Sequence, residues 1–203
     1  MTAITFPRAQ HAVALIAAGL IFAPVATLAQ VPGPNGTGSI TRPNNMTSYG
    51  TGSVTKLLAS NTTGNATPVT ITINNTTPGN GDLLIDARVA TTDTGASGAA
   101  VKVSLFSATP TLTGLADGST YAGPYKADLP SFIGYLTCST FSPTTDGTPG
   151  YYAQCSGSNI LAQPLRFQGG PGSSTTLYGT IEVTTGFTPI ANSVWSVNLF
   201  SIY

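Results

Sequence analysis

Charge is what this sequence has least of. Only 7% of its 203 residues are Asp, Glu, Lys or Arg, and seven acidic groups balance seven basic ones to a formal net charge of zero. A soluble domain is ordinarily about a quarter charged, so this surface must be solvated by Thr, Ser, Asn and Gly. With no basic cluster, the electrostatic footprint of nucleic-acid binding is missing. Histidine is almost absent too, since His11 is the only one. If the N-terminal segment is removed, the rest of the chain has no imidazole for a Ser-His-Asp triad, a histidine metal site or a general base. The sequence also has no Walker loop, dinucleotide fingerprint, zinc-ligand spacing or G-x-S-x-G elbow. It therefore offers an enzyme no residues to work with, and no cofactor or metal is expected.

Long apolar runs are equally scarce, with one exception. Ala12 to Ala29 (AVALIAAGLIFAPVATLA) is uncharged and follows a short segment carrying Arg8. This reads as a secretory signal ending at Ala29. A retained membrane anchor, kinked at Pro24, and a segment buried in an assembly are the alternatives. Residues 30–45 (QVPGPNGTGSITRPNN) show prolines and glycines without sustained apolar periodicity, so they are expected to form an extended arm or linker carrying no core. Residues 46–203 are expected to form one domain, long enough for a sizeable core.

Within that domain short β-type runs recur between turn signals. They are SVTKLLAS, PVTITIN, DLLIDARVA, AVKVSLFS, SFIGYLTC, ILAQPLRF, LYGTIEVTT and SVWSVNLFSI. Val101, Val103 and Leu105 alternate with Lys102 and Ser104, Ile181 and Val183 with Thr180 and Glu182, and Trp195, Val197 and Leu199 with Val194, Ser196 and Asn198. Alternation of this kind gives each strand one apolar face. About eight such strands predict an all-β antiparallel sandwich, jelly-roll-like, with a barrel as the alternative. No internal repeat supports a propeller or a β-helix.

Candidate sites are few. Cys138 and Cys155 are expected, in an exported protein, to form one disulfide, with two free thiols as the alternative; a catalytic cysteine would need a basic partner that the chain does not supply. Asp82, Asp86 and Asp93 lie close in sequence, but Asp82 and Asp86 would stand about 13 Å apart on a strand, too far for a retaining glycosidase pair. They are read as solvated carboxylates, with Asp93 bonding its own backbone in a turn; a calcium site between Gly79 and Gly95 is the functional alternative. Tyr121, Tyr125 and Tyr135 stand in the stretch TYAGPYKADLPSFIGY and are the possible glycan contacts. The plainer reading is that Tyr121 and Tyr125 cap the core; Tyr151 and Tyr152 are read the same way. Asn-X-Thr sequons at Asn35, Asn45, Asn61, Asn65, Asn74 and Asn75 are what an Asn- and Thr-rich chain produces by chance.

Several runs, taken in order, resemble a family of bacteriophage-encoded proteins found among virion structural genes. These are RPNNMTSYGTGSV (Arg42 to Val54), LLIDARVATTD, KVSLFSATPT, SFIGYLTCSTF and LYGTIEVTTGFTPIANSVWSVNLF, which together span most of residues 42–203. The resemblance implies a β-sandwich virion component, such as a decoration, fibre-base or tail-associated protein, and carries over no active-site residues. The chain departs from the pattern in its signal-like N-terminus, and in Cys138, where the family more often has an acidic residue. The expected partners are copies of the chain and a capsid, tail or surface-layer neighbour, with a membrane involved only through an uncleaved N-terminus. The expected location is the virion or the extracellular space. The alternative is an exported surface or matrix protein, carbohydrate-binding or a fibre subunit, in the periplasm or at the bacterial cell surface.

Overall fold

The structure, a computed structural model, describes residues 35–43, 49–50, 52–74, 81–139, 141–145, 150–156, 165–169 and 174–202. All of these belong to the second of two compact units, Pro32–Tyr203; the first, Met1–Val31, lies outside them, and so do the signal-like run and His11. Among the described residues eleven strands follow in chain order: β1 (Gly36–Thr41), β2 (Ser53–Leu58), β3 (Val69–Asn74), β4 (Gly81–Thr91), β5 (Ala100–Phe106), β6 (Phe132–Ser139), β7 (Ser142–Pro143), β8 (Tyr151–Ser156), β9 (Arg166–Gln168), β10 (Ser174–Thr185) and β11 (Val194–Ile202). Among the described residues, two short 3-10 turns, Thr94–Ala96 and Lys126–Ser131, interrupt the β structure. No helix among the described residues is long and apolar enough to cross a membrane.

Every ladder is antiparallel, and the sheet closes. Its order runs β8-β6-β5-β10-β3-β1-β11-β4, with β4 pairing back to β8. The all-β antiparallel expectation agrees with this. The closed eight-stranded barrel takes the place of an open sandwich, a distinction that strand spacing alone does not carry. The pairing is nested: β1 with β11, β3 with β10, β4 with β8, and β5 with β6. Among the described residues, the β1–β3 and β6–β8 ladders are only two residue pairs long each. The disulfide Cys138–Cys155 lies across the second of these, joining directly opposed residues.

The core fills the barrel. Val101, Val103, Leu105, Ile181, Val183, Trp195, Val197 and Leu199 all point inward, as their alternation predicts. Phe141 and Phe187 pack against the Trp195 ring. The polar residues that alternate with them are buried in part as well: Ser104 on β5 and, on β10, Thr180 and Glu182. Thr180 and Glu182 are buried because the outward side chains of β2, which pairs alongside β10, and the connections before β3 and β6 enclose the outer side of this strand. There Leu57, Ala59, Ala66, Leu112 and Tyr121 form a second, smaller apolar cluster.

β1 corrects the reading of residues 30–45 as an arm without a core role. Residues 36–41 are an integral barrel strand between β11 and β3, alternately buried and exposed along their length. The strand escapes a hydrophobicity pattern because two of its three inward positions are Gly36 and Gly38. A Cβ on Gly38 would overlap the Thr70 carbonyl, and one on Gly36 would stand 2.7 Å from Ile73 Cγ1. Glycine lets the neighbouring strand approach closely. Asn35, Arg42 and Pro43 are described beside it, and residues 30–34, 44 and 45 lie outside the described residues.

Candidate functional site

At the end of the barrel where β1 finishes and β11 begins, three polar side chains are buried together. The Arg42 backbone N–H bonds the Ser193 carbonyl, which turns its side chain inward to 1% exposure. Its guanidinium pairs with Asp117, donates from Nε to the Tyr49 hydroxyl (2.8 Å) and from Nη1 to the Ile190 carbonyl (3.1 Å). Tyr49 in turn donates to Asp117 Oδ1 (2.7 Å), which also accepts the Ala59 N–H (3.0 Å). Burial alone would lower the Arg42 pKa, but Asp117 and Tyr49 outweigh it and hold it above its ordinary value. The Tyr49 phenol is raised, by burial first and then by the Asp117 charge. A group of this kind locks strand ends together, and its charges are satisfied internally rather than offered to a substrate.

Asp93 belongs to the same end and corrects its own reading as a solvated turn carboxylate. It does accept the Gly95 N–H (2.9 Å) in a local turn, as expected, yet it is fully buried. It also accepts from Ile190 N–H (3.1 Å) and Ser193 Oγ (3.0 Å), so it holds the 188–193 segment in place. Burial raises its pKa against these hydrogen bonds and the nearby Arg42 charge. Asp86 lies apart on β4, beside Arg88 (3.6 Å) and Gln154 (3.1 Å). A bulge at Ile85 breaks the alternation assumed for this strand, and Asp82's side chain lies outside the described residues. No group of three or more His, Cys, Asp or Glu suited to a metal occurs among the described residues, so the calcium alternative gains no ligand set.

The three tyrosines singled out by sequence are placed unequally. Tyr121 is 0% exposed, packed in the outer apolar cluster, and offers no face to a ligand. Tyr125 meets its ring edge-on at 5.6 Å and is itself exposed. Tyr135 is half-buried on β6 beneath Lys102, whose ammonium lies 5.8 Å from the ring centre. Lys102 also pairs with the buried Glu182 (3.0 Å), and burial raises the Glu182 pKa in spite of that partner. The covered outer face of β5 and β10 is thus a structural layer.

Open features occur elsewhere among the described residues. A cavity of about 740 Å³ lies at the opposite end of the barrel, bordered by Ser107, Ser131, Phe132, Arg166, Gln168 and Thr176. A shallower depression of about 350 Å³ lies on the outer sheet face, lined by Arg88, Ala90, Thr144, Thr145, Tyr152 and Asn198. Arg88 stacks over the Phe200 ring at 5.1 Å. Sequence reading passed over Arg88 and Asn198 because single polar residues on a strand carry no motif. The pairing of β8 with β4 and of β4 with β11 brings them beside Tyr152. Comparison with protein-family models, with characterised proteins and with solved structures returns no match.

Proposed function

We propose that the barrel is a jelly roll and that the chain is a non-enzymatic structural component of a phage-like particle, a decoration, fibre-base or tail-associated protein that acts by packing against copies of itself or a capsid or tail neighbour. The observation that carries this reading is the nested strand pairing. Counting only the eight barrel strands in chain order, first pairs with eighth, second with seventh, third with sixth and fourth with fifth. That is one long hairpin rolled up, with the two shortest ladders dividing it into four-stranded halves. Capsid and lectin domains are built on jelly rolls. Fold alone does not assign a role, and the ordered resemblance to phage virion proteins supplies the rest. The nearly uncharged surface supports packing, since copies repel one another little.

A second reading, an exported surface or matrix protein, is favoured by the Cys138–Cys155 bond, because such bonds persist in oxidising surroundings. Virion surfaces meet that condition as well. Cross-linking mass spectrometry on gradient-purified particles separates the two. The particle reading expects links from this chain to itself or to a particle protein; a chain found only in the particle-free fraction overturns it.

A further inference from the structure

We propose that the outer face of β8, β4, β11 and β1 carries a binding site for a neutral saccharide, centred on Tyr152, Arg88 and Asn198. The inference rests on the geometry of this face and is independent of the particle reading. Two neighbouring rows of side chains cross the four strands. One runs Tyr152, Ala90, Ser196, Ser39; the other runs Gln154, Arg88, Asn198, Thr37. Strand spacing of about 4.8 Å and a row separation of about 7 Å give a patch roughly 14 Å by 7 Å along the sheet.

In the first row a single aromatic ring, 43% exposed, stands beside small side chains. Ala90, Thr144 and Thr145 line the depression beside it. A tyrosine presented this way offers an apolar face for the C–H side of a sugar ring and a hydroxyl at its edge.

The second row supplies donors and acceptors already held in position. Arg88 is fixed from below by the Phe200 ring and from the side by Asp86, and half of its side chain still faces water. Gln154 donates its amide N–H to Asp86 (3.1 Å), which leaves its carbonyl oxygen to accept. Asn198 accepts through its carbonyl oxygen from the Thr37 hydroxyl (3.3 Å), which leaves its amide N–H groups to donate. A planar cationic donor, an amide donor and an amide acceptor beside an exposed aromatic ring match the alternating hydroxyls of a saccharide. Asp86 offsets the Arg88 charge, so the array favours a neutral sugar over an acidic one. The volume of about 350 Å³ is at the low end of ligand pockets, which run from about 300 to 1,000 Å³, and suits one or two sugar units. The contacting groups sit on strands rather than loops, which keeps their spacing rigid.

Saturation-transfer NMR on the full chain, against a panel of neutral hexose and N-acetylhexosamine disaccharides with uronate- and sialic-acid-containing counterparts, tests the assignment. The expected result is transfer to at least one neutral disaccharide. Its affinity should weaken at least about tenfold in Tyr152→Ala and in Arg88→Ala, remain unchanged in Tyr125→Ala, and the melting temperatures of all three variants should match that of the parent. No transfer to any neutral member overturns the proposal, as does binding that survives both Tyr152→Ala and Arg88→Ala. Binding confined to acidic members overturns the neutral assignment. A change of oligomeric state in Tyr152→Ala without any saccharide signal assigns the face to contact between copies and overturns it equally.

Discussion

Replacing Arg42 with Met leaves a buried carboxylate without its cation. Asp117 would keep the Tyr49 hydroxyl and the Ala59 N–H as partners, but the Ile190 carbonyl would lose its donor and Asp93 the nearby positive charge. Removing one member of a buried ion pair costs about 3–5 kcal/mol, against a total stability of roughly 5–15 kcal/mol for a domain. With a urea slope of about 2 kcal/mol per M, the unfolding midpoint should fall by roughly 2 M. The double variant Arg42→Met with Asp117→Leu removes both charges and should cost clearly less than the sum of the single changes, because the two residues act as one unit. Urea titrations followed by tryptophan fluorescence report on Trp195, the only tryptophan, which is buried in the core. A loss below about 1 kcal/mol in each single variant, or strict additivity in the double, would refute the reasoning. An arm carrying no core could be removed without loss of the fold. With β1 and Arg42 in the barrel, deletion of residues 30–45 is expected to abolish folding.

Three further outcomes follow from particular contacts. Replacing Cys138 and Cys155 together with Ser opens a cross-link of sequence separation 17 and should cost about 3 kcal/mol by chain-entropy reasoning; a denaturant midpoint equal to that of the parent would count against a closing role for the β6–β8 ladder. Gly38→Ala drives a Cβ into the Thr70 carbonyl, a backbone atom that cannot step aside. A loss of about 1–3 kcal/mol is expected by calorimetry, and a neutral result would mean that β1 and β3 are not so closely packed. Burial holds the Glu182 carboxyl above its ordinary range, so the native state binds that proton more tightly than the unfolded chain. Its contribution to stability is full below the unfolded value of about 4.3 and is lost as pH rises through the raised native value. Glu182→Gln should flatten that part of the stability curve, and an unchanged pH slope would contradict the stated burial.

The parts legible in sequence were those where side chains alternate in size and polarity. β5, β10 and β11 declare themselves through Val101, Val103, Leu105, Ile181, Val183, Trp195 and Val197, and the disulfide is the reading of two cysteines in an exported chain. β1 was illegible because its core-facing glycines carry no hydrophobic signal. β8 (YYAQCS) was passed over because its inward residues are small, Ala153 and Cys155. The burial of Thr180 and Glu182 is not legible, because nothing local announces that distant connections will cover them. The buried Arg42–Tyr49–Asp117 group joins residues as far apart as 75 positions in the chain, and no local pattern encodes such a meeting. Tyr121 and Tyr152 were both visible as tyrosines, yet tertiary packing decided which was buried and which faces water.

The central claim, that this chain works by packing in a particle, is tested most directly by the intact mass of the native protein in gradient-purified particles and in the soluble extracellular fraction. The account predicts the chain in the particle fraction, two hydrogens lighter than its reduced form because Cys138 and Cys155 are joined. The same chain found in the soluble fraction and missing from particles would contradict it and assign the protein to the exported surface class.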